Sequence, residues 1–152
     1  MPPVAIALGS NLGDRVAHLT VAAARLCQLL TDFRLSTFHE TEPVAVSAQP
    51  RFLNAAATGT TRLSAGELLQ HLLAIEAACG RARPYAGAPR TLDLDLILYG
   101  EDVIDEPGLR VPHPRFRDRA FVLDPLTEIA PDWRDPVTGA TVAELARRRT
   151  TN

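Results

Sequence analysis

An α+β fold is what this sequence predicts, on three observations. Apolar runs of strand length alternate with two long helical patterns. The chain has 152 residues, enough for one domain with one hydrophobic core. Hydrophobic residues make up 46% and charged residues 22%, the balance of an ordinary globular protein. The resulting order is strand, helix, strand, strand, helix, strand, then a helical tail. That is the ferredoxin-like β-α-β-β-α-β sandwich with a C-terminal helical extension, in a single domain over 1–152.

Each element has its own signal. Residues 4–9 form a short apolar run ending at Gly9-Ser10-Asn11, a buried strand that stops at a turn. Val16, Leu19, Ala23, Leu26 and Leu30 recur at helical spacing, predicting a helix over about 13–31. A strand is expected over 34–41, and a long loop over 42–51, where Pro43 and Pro50 stand. Residues 52–61, rich in Ala and Thr, read as the third strand. Ser64 and Glu67 fit a capping box that opens a helix running to about 79, and Gly80 ends it.

A second loop follows over 81–90, then a strand over 92–99 closed by Gly100. Residues 103–111 suggest an irregular hairpin. Helical turns over 113–129 are expected to be interrupted at Pro125. Residues 135–139 make a turn. Thr141 and Glu144 form another capping box, for a last helix ending in Arg147-Arg148-Arg149, where basic side chains suit the helix dipole.

Composition removes several function classes. The formal charge is −2 and aromatics are 5%, so neither nucleic acid nor an anionic membrane is an expected partner. No apolar run approaches the ~18 residues of a membrane span, and no signal peptide is read at the N-terminus, so the cytoplasm is the expected location. Cys27 and Cys79 both fall on helices and are expected to be buried, reduced thiols. All 16 basic residues are arginines. Phosphate chemistry here must therefore use arginine, backbone amides and metal, with no lysine-bearing phosphate loop.

The stretch richest in chemistry is Arg90-Thr91-Leu92-Asp93-Leu94-Asp95-Leu96-Ile97-Leu98-Tyr99. On a strand, Asp93 and Asp95 share one face, with Ile97 and Tyr99 expected to follow on it, while Leu92, Leu94 and Leu96 take the other. The two acids lie roughly 6–7 Å apart at Cα. Two like charges so close repel, and divalent cations relieve that repulsion. A pair of Mg²⁺ ions about 3.5–4 Å apart clamps a phosphate in displacement chemistry. Arg81, Arg83 and Arg90 precede the acids, and Arg110, Arg115, Arg117 and Arg119 follow, which suits a polyphosphate. The same acids on an exposed face, paired with arginines, would be an ordinary surface. The competing readings are a non-catalytic ferredoxin-like module that binds a small ligand or nucleotide, and an RNA-binding domain.

These residues resemble a known family. Gly80-Arg81-x-Arg83 with Pro89-Arg90-Thr91-Leu92-Asp93-Leu94-Asp95 is similar to the signature of 6-hydroxymethyl-7,8-dihydropterin pyrophosphokinases of folate biosynthesis. So are the stretches 7–13, 52–56, 111–114 and 119–131, in the same order, and the resemblance runs from about 4 to 133. It implies transfer of a pyrophosphoryl group from ATP to a reduced pterin, with two Mg²⁺ ions, by a monomer. Asp93 and Asp95 would hold the metals. Arg81 and Arg90 would contact the phosphates, with Arg83 near them. Glu76, His113 and Arg119 match positions that contact ATP. Phe52 and Phe121 would line the pterin pocket, Asn54 would read its polar edge, and backbone groups at Thr41, Glu42 and Val44 would complete that edge. Two departures stand out: Tyr85-Ala86-Gly87-Ala88 precedes Pro89-Arg90 where relatives often carry Trp-Gly, and Glu42 stands where many have proline.

Overall fold

The computed structural model describes residues 1–41, 51–80 and 91–151. One antiparallel sheet is built from β1 (Pro3–Ser10), β2 (Thr31–Leu35), β3 (His39–Thr41), β4 (Phe52–Thr60) and β5 (Asp93–Tyr99). Its order is β2-β4-β1-β5, with β3 also pairing β4, so β2 and β3 together form one edge. Helices α1 (Arg15–Leu29) and α2 (Ala65–Ala78) cover one face. There, Leu19, Leu26, Leu68, Leu72 and Ile75 pack on Ile6, Leu8, Ala55, Ala57, Leu94 and Leu96. This is the ferredoxin-like order expected.

The opposite face carries a short 3-10 turn, α3 (Ala120–Ile129) and α4 (Val142–Thr151), while the hairpin β6 (Ile104–Glu106) and β7 (Leu109–Val111) packs with α1 and α2, where Val111 joins their core. Phe116, Val122, Leu123 and Leu126 bury Ala5, Ala7, Ala56 and Ile97. Both predicted capping boxes form, with Ser64 and Glu67 bonded reciprocally and Thr141 paired with Glu144 in the same way. Asp14 caps α1, accepting from the Ala17 amide at 3.1 Å. Such a cap contributes about 1 kcal/mol.

Four expectations are corrected. The first helix does not reach Thr31. Leu30 is extended, and the chain enters β2 at once by crossing β4 at Gly59, where a Cβ would stand 2.7 Å from Leu30 Cβ. The single strand expected over 34–41 is two strands. Ser36 breaks it, because its Oγ takes the Ala56 amide at 2.8 Å in place of a ladder carbonyl. Helix α3 runs through Pro125, since burial on the sheet offsets the missing hydrogen bond. Cys27 is exposed, being turned away from the core beside buried Leu26, whereas Cys79 is half-buried, and both thiols are free.

Candidate active site

Cross-strand partners in a sheet share a face. Gly9 pairs with Asn54 on one side and Asp93 on the other, and Ala7 pairs with Ala56 and Asp95. The sheet therefore carries two rows, Asn54–Gly9–Asp93 and Ala56–Ala7–Asp95, on the face that α3 covers. Helix α3 buries Ala7 and Ala56, while Asp93 and Asp95 remain partly exposed at the end of β5. The acids thus sit on one face as expected, at the edge of a core rather than on an open surface.

Beyond them the alternation breaks. Ile6 pairs with Leu96 and Ala5 with Leu98, so Ile97 is an extra residue, a β-bulge. Ile97 and Leu98 both join the cluster under α3, and Tyr99 turns to the other face, its hydroxyl donating to the Leu63 carbonyl at 2.5 Å. Tyr99 does not share the acid face. The bulge has a second consequence: the Ile97 carbonyl accepts the backbone N–H of His113 at 3.0 Å. This ties His113 to the acidic strand.

His113 follows the cis peptide Val111-Pro112. Its Nδ1 accepts the Arg115 amide at 3.2 Å, which leaves the proton of the neutral ring on Nε2. Burial holds its pKa below the ordinary value, reinforced by Arg119 and Arg115 and opposed by Asp93. One electrostatic neighbourhood therefore includes His113, Arg119 and Asp93. The Arg119 guanidinium lies over the Phe121 ring, 5.5 Å from its centroid. Residues 119 and 121 are thereby joined at the start of α3.

Among the described residues, strand β5 is the sheet edge and its outer amides have no partner strand. Glu76 on α2, 3% exposed, accepts the Leu94 amide at 2.7 Å. The carboxylate sits beneath the backbone unit between the two acids. Between α2, β5 and the β6–β7 hairpin lies a cavity of 380 Å³ that reaches Leu69, Asp95, Leu109, Arg110 and His113. Sequence reasoning named Asp95, Arg110 and His113 but not Leu69, Pro107, Gly108 or Leu109. The hairpin residues were signalled only by the irregular hairpin expected over 103–111, and Leu69 by nothing.

On the other side of the acids, Asn54 is 4% exposed and donates from Nδ2 to Thr41 Oγ1 at 2.6 Å. A Cβ on Gly9 would stand 3.0 Å from Asn54 Oδ1 and 3.7 Å from Phe52. Glycine is what allows Asn54 and Phe52 to close over β1. Glu42, Val44, Arg81, Arg83 and Arg90, together with the loops 42–51 and 81–90 apart from Arg51, lie outside the described residues.

Among the described residues, no group of three or more His, Cys, Asp or Glu side chains is gathered for a metal. Two carboxylates make an incomplete shell. This donor set suits Mg²⁺, which usually takes one or two carboxylates and completes its octahedron with phosphate oxygens and water. Among the same residues, no helix is long and apolar enough to cross a membrane.

A ferredoxin-like sandwich with paired acids at a strand end, beside a half-buried histidine and a cavity, has the features of a nucleotide-dependent transferase. The model of the 7,8-dihydro-6-hydroxymethylpterin-pyrophosphokinase family matches residues 5–131, and the chain belongs to that family. It is 42% identical over 142 residues to the 2-amino-4-hydroxy-6-hydroxymethyldihydropteridine pyrophosphokinase of Synechocystis sp., covering 92% of this chain and 72% of that protein. The enzymes of the same name from Pseudomonas aeruginosa and Bacillus subtilis are each 43% identical, covering 88% and 89% of this chain and 83% and 82% of theirs. Among solved structures, wild-type Plasmodium falciparum HPPK-DHPS superposes with a TM-score of 0.78 at 13% identity. That match covers 99% of this chain and 45% of the other, so the chain spans less than half of that protein, and the likeness concerns the fold. The non-catalytic module and the RNA-binding domain are not favoured.

Proposed function

We propose that the acidic end of β5 is where this pyrophosphokinase joins its two substrates. The chain transfers the pyrophosphoryl group of ATP to 6-hydroxymethyl-7,8-dihydropterin, giving AMP and the pterin diphosphate in folate biosynthesis. What supports the assignment is that Asp93 and Asp95 lie between a cavity and a polar row of the sheet. On one side is the cavity edged by His113. On the other is the Asn54–Gly9 row, with Phe52 beside it.

In this reading ATP enters the cavity at the β5 edge, a volume within the about 300–1,000 Å³ of small-molecule sites. His113 Nε2 and Arg119 meet the phosphates, with Arg81, Arg83 and Arg90. Glu76 holds the Leu94 amide and so keeps Asp93 and Asp95 in register. The pterin lies over the row from Asn54 to Asp93, which spans roughly 10 Å across three strands. Asn54, oriented by Thr41, reads its amide-like edge, together with backbone groups at Glu42 and Val44.

Asp93 and Asp95 hold two Mg²⁺ ions, which when bound neutralise the phosphate charge that develops during transfer. The pterin hydroxymethyl oxygen forms a bond to the β-phosphorus as the bond to the α-phosphate oxygen breaks and AMP leaves. Asp95 lies nearest that hydroxyl. Catalysis then rests on positioning and charge neutralisation. We read the chain as a monomer acting in the cytoplasm.

The test is AMP formation from ATP, Mg²⁺ and the hydroxymethyl dihydropterin. The chain should produce AMP only with all three. Asp95→Ala should abolish turnover and leave the fold intact. Retained turnover in that variant would remove the assignment.

A further inference from the structure

Glu128, near the end of α3, takes no part in the reaction described above, yet its carboxylate is saturated with partners. Thr37 donates to it twice, from its amide to Oε2 at 3.0 Å and from its hydroxyl to Oε1 at 2.6 Å. His39 Nε2 lies 2.5 Å from Oε1. Both partners belong to the other edge of the sheet, 91 and 89 residues away in sequence. These bonds hold the Glu128 pKa down at about 2, through Thr37 first and His39 next. So dense a set of bonds on a partly exposed side chain is more than helix solubility requires.

What the contact joins is specific. His39 opens β3 and pairs across to Asn54. Thr41 ends β3 and accepts the Asn54 side-chain amide. Strand β3 has three residues, follows the break at Ser36, and among the described residues pairs with β4 alone. On the other face of the strand Glu40 accepts from Arg15 of α1 at 3.0 Å, so on the α3 face Glu128 is what holds its height over the sheet. Helix α3 carries Phe121 seven residues before Glu128, two turns away and on the same side of the helix.

We propose that Glu128 is a positioning residue for the pterin recess. It fastens β3, which carries the Thr41–Asn54 polar edge, to α3, which carries the Phe121 wall, and so sets the width of the slot between them. This rests on the reading that Asn54 and Phe121 receive the pterin. The acids and the ATP cavity are on β5 and the β6–β7 hairpin, beyond the reach of the clasp.

The experiment measures both substrates separately. Pterin affinity is followed by calorimetry in the presence of a non-hydrolysable ATP analogue, and KM is determined for each substrate. Glu128→Ala should weaken pterin binding about tenfold, the loss expected for charge-assisted bonds. The KM for ATP should stay within about twofold. Glu128→Gln keeps an acceptor for the Thr37 amide and should recover most of the loss. Thr37→Val removes only the hydroxyl bond, preserves the backbone, and should give a smaller loss of the same kind should Glu128→Ala not fold. A purely structural role would lower stability without separating the two substrates. Equal changes in both constants, or none in either variant, would overturn the clasp while leaving the pterin site standing. Failure of the unaltered chain to bind pterin would overturn both.

Discussion

The Glu76 carboxylate accepts the Leu94 amide at 2.7 Å, beneath the peptide unit that separates Asp93 from Asp95. An edge strand normally leaves such amides to water or to a stray partner strand. Here a buried acid closes the edge, and the spacing of the two metal-binding candidates depends on it.

Replacing Glu76 with alanine leaves that amide buried and unpaired, at a cost of about 1–3 kcal/mol. The same change loosens β5 where Mg²⁺ is proposed to bind. Glu76→Ala is expected to lower the urea midpoint and to weaken Mg²⁺-dependent ATP binding. Glu76→Gln retains an acceptor oxygen and should restore most of the stability. Denaturation curves and a magnesium titration of both variants check this. An alanine variant with wild-type magnesium dependence would remove the link between Glu76 and the acids.

Gly9 makes a sharper point about the pterin side. Its place is decided by space, since a Cβ there would press on Asn54 Oδ1 at 3.0 Å. Gly9→Ala should therefore push Asn54 from the orientation set by Thr41. The KM for pterin should rise by about five- to tenfold, a little over 1 kcal/mol, with the KM for ATP nearly unchanged. Steady-state kinetics with each substrate varied in turn decides it. Unchanged pterin KM would mean that Asn54 does not read the ring.

Much of this was legible because local rules act locally. Ser64 and Glu67 are a capping box from spacing alone, and they form one. Asp93 and Asp95 share a face because strands alternate, and the pairing with Gly9 and Ala7 agrees. Tyr99 was misplaced because nothing in Leu96-Ile97-Leu98 marks the bulge. It arises from the registry of β1 against β5, two segments far apart in sequence. The break at Ser36 was missed for a similar reason: its hydroxyl finds the Ala56 amide only once the sheet exists. Glu128 stood in the family-like stretch 119–131, but nothing there named its partners, which lie 91 and 89 residues away.

The crossing at Gly59 gives a test of the fold that does not touch the site. A Cβ there meets Leu30 Cβ at 2.7 Å and the Thr31 carbonyl at 3.0 Å. Backbone cannot yield as a flexible side-chain end does. Gly59→Ala should cost about 1–3 kcal/mol by overpacking. Turnover of the remaining folded fraction should be unaltered. Thermal unfolding with activity measured well below the midpoint separates the two effects.

Arg117 and Asp135 staple the extension. Asp135 is fully buried and receives Arg117 Nε, Arg117 Nη2 at 2.9 Å, Thr138 Oγ1 at 2.6 Å and the Val137 amide at 3.0 Å. Burial pushes its carboxyl up, but Arg117, Thr138 and Val137 outweigh it and hold the pKa down at about 2. A carboxyl depressed in the folded state binds its proton more readily when unfolded. Its contribution, roughly 2 kcal/mol, is therefore complete above the ordinary Asp value and is lost as pH falls through about 2. Arg117→Ala strands the buried charge and should destabilise the chain by about 3 kcal/mol at neutral pH. That penalty should shrink as the pH falls from about 5 towards 2, because the stranded carboxyl can then take a proton. Arg117→Lys should rescue only part, since an ammonium cannot match the two-pronged contact. Urea unfolding of the three proteins from pH 7 to pH 3 checks both statements. A penalty that stayed constant across that range would mean that Asp135 is not the group Arg117 serves.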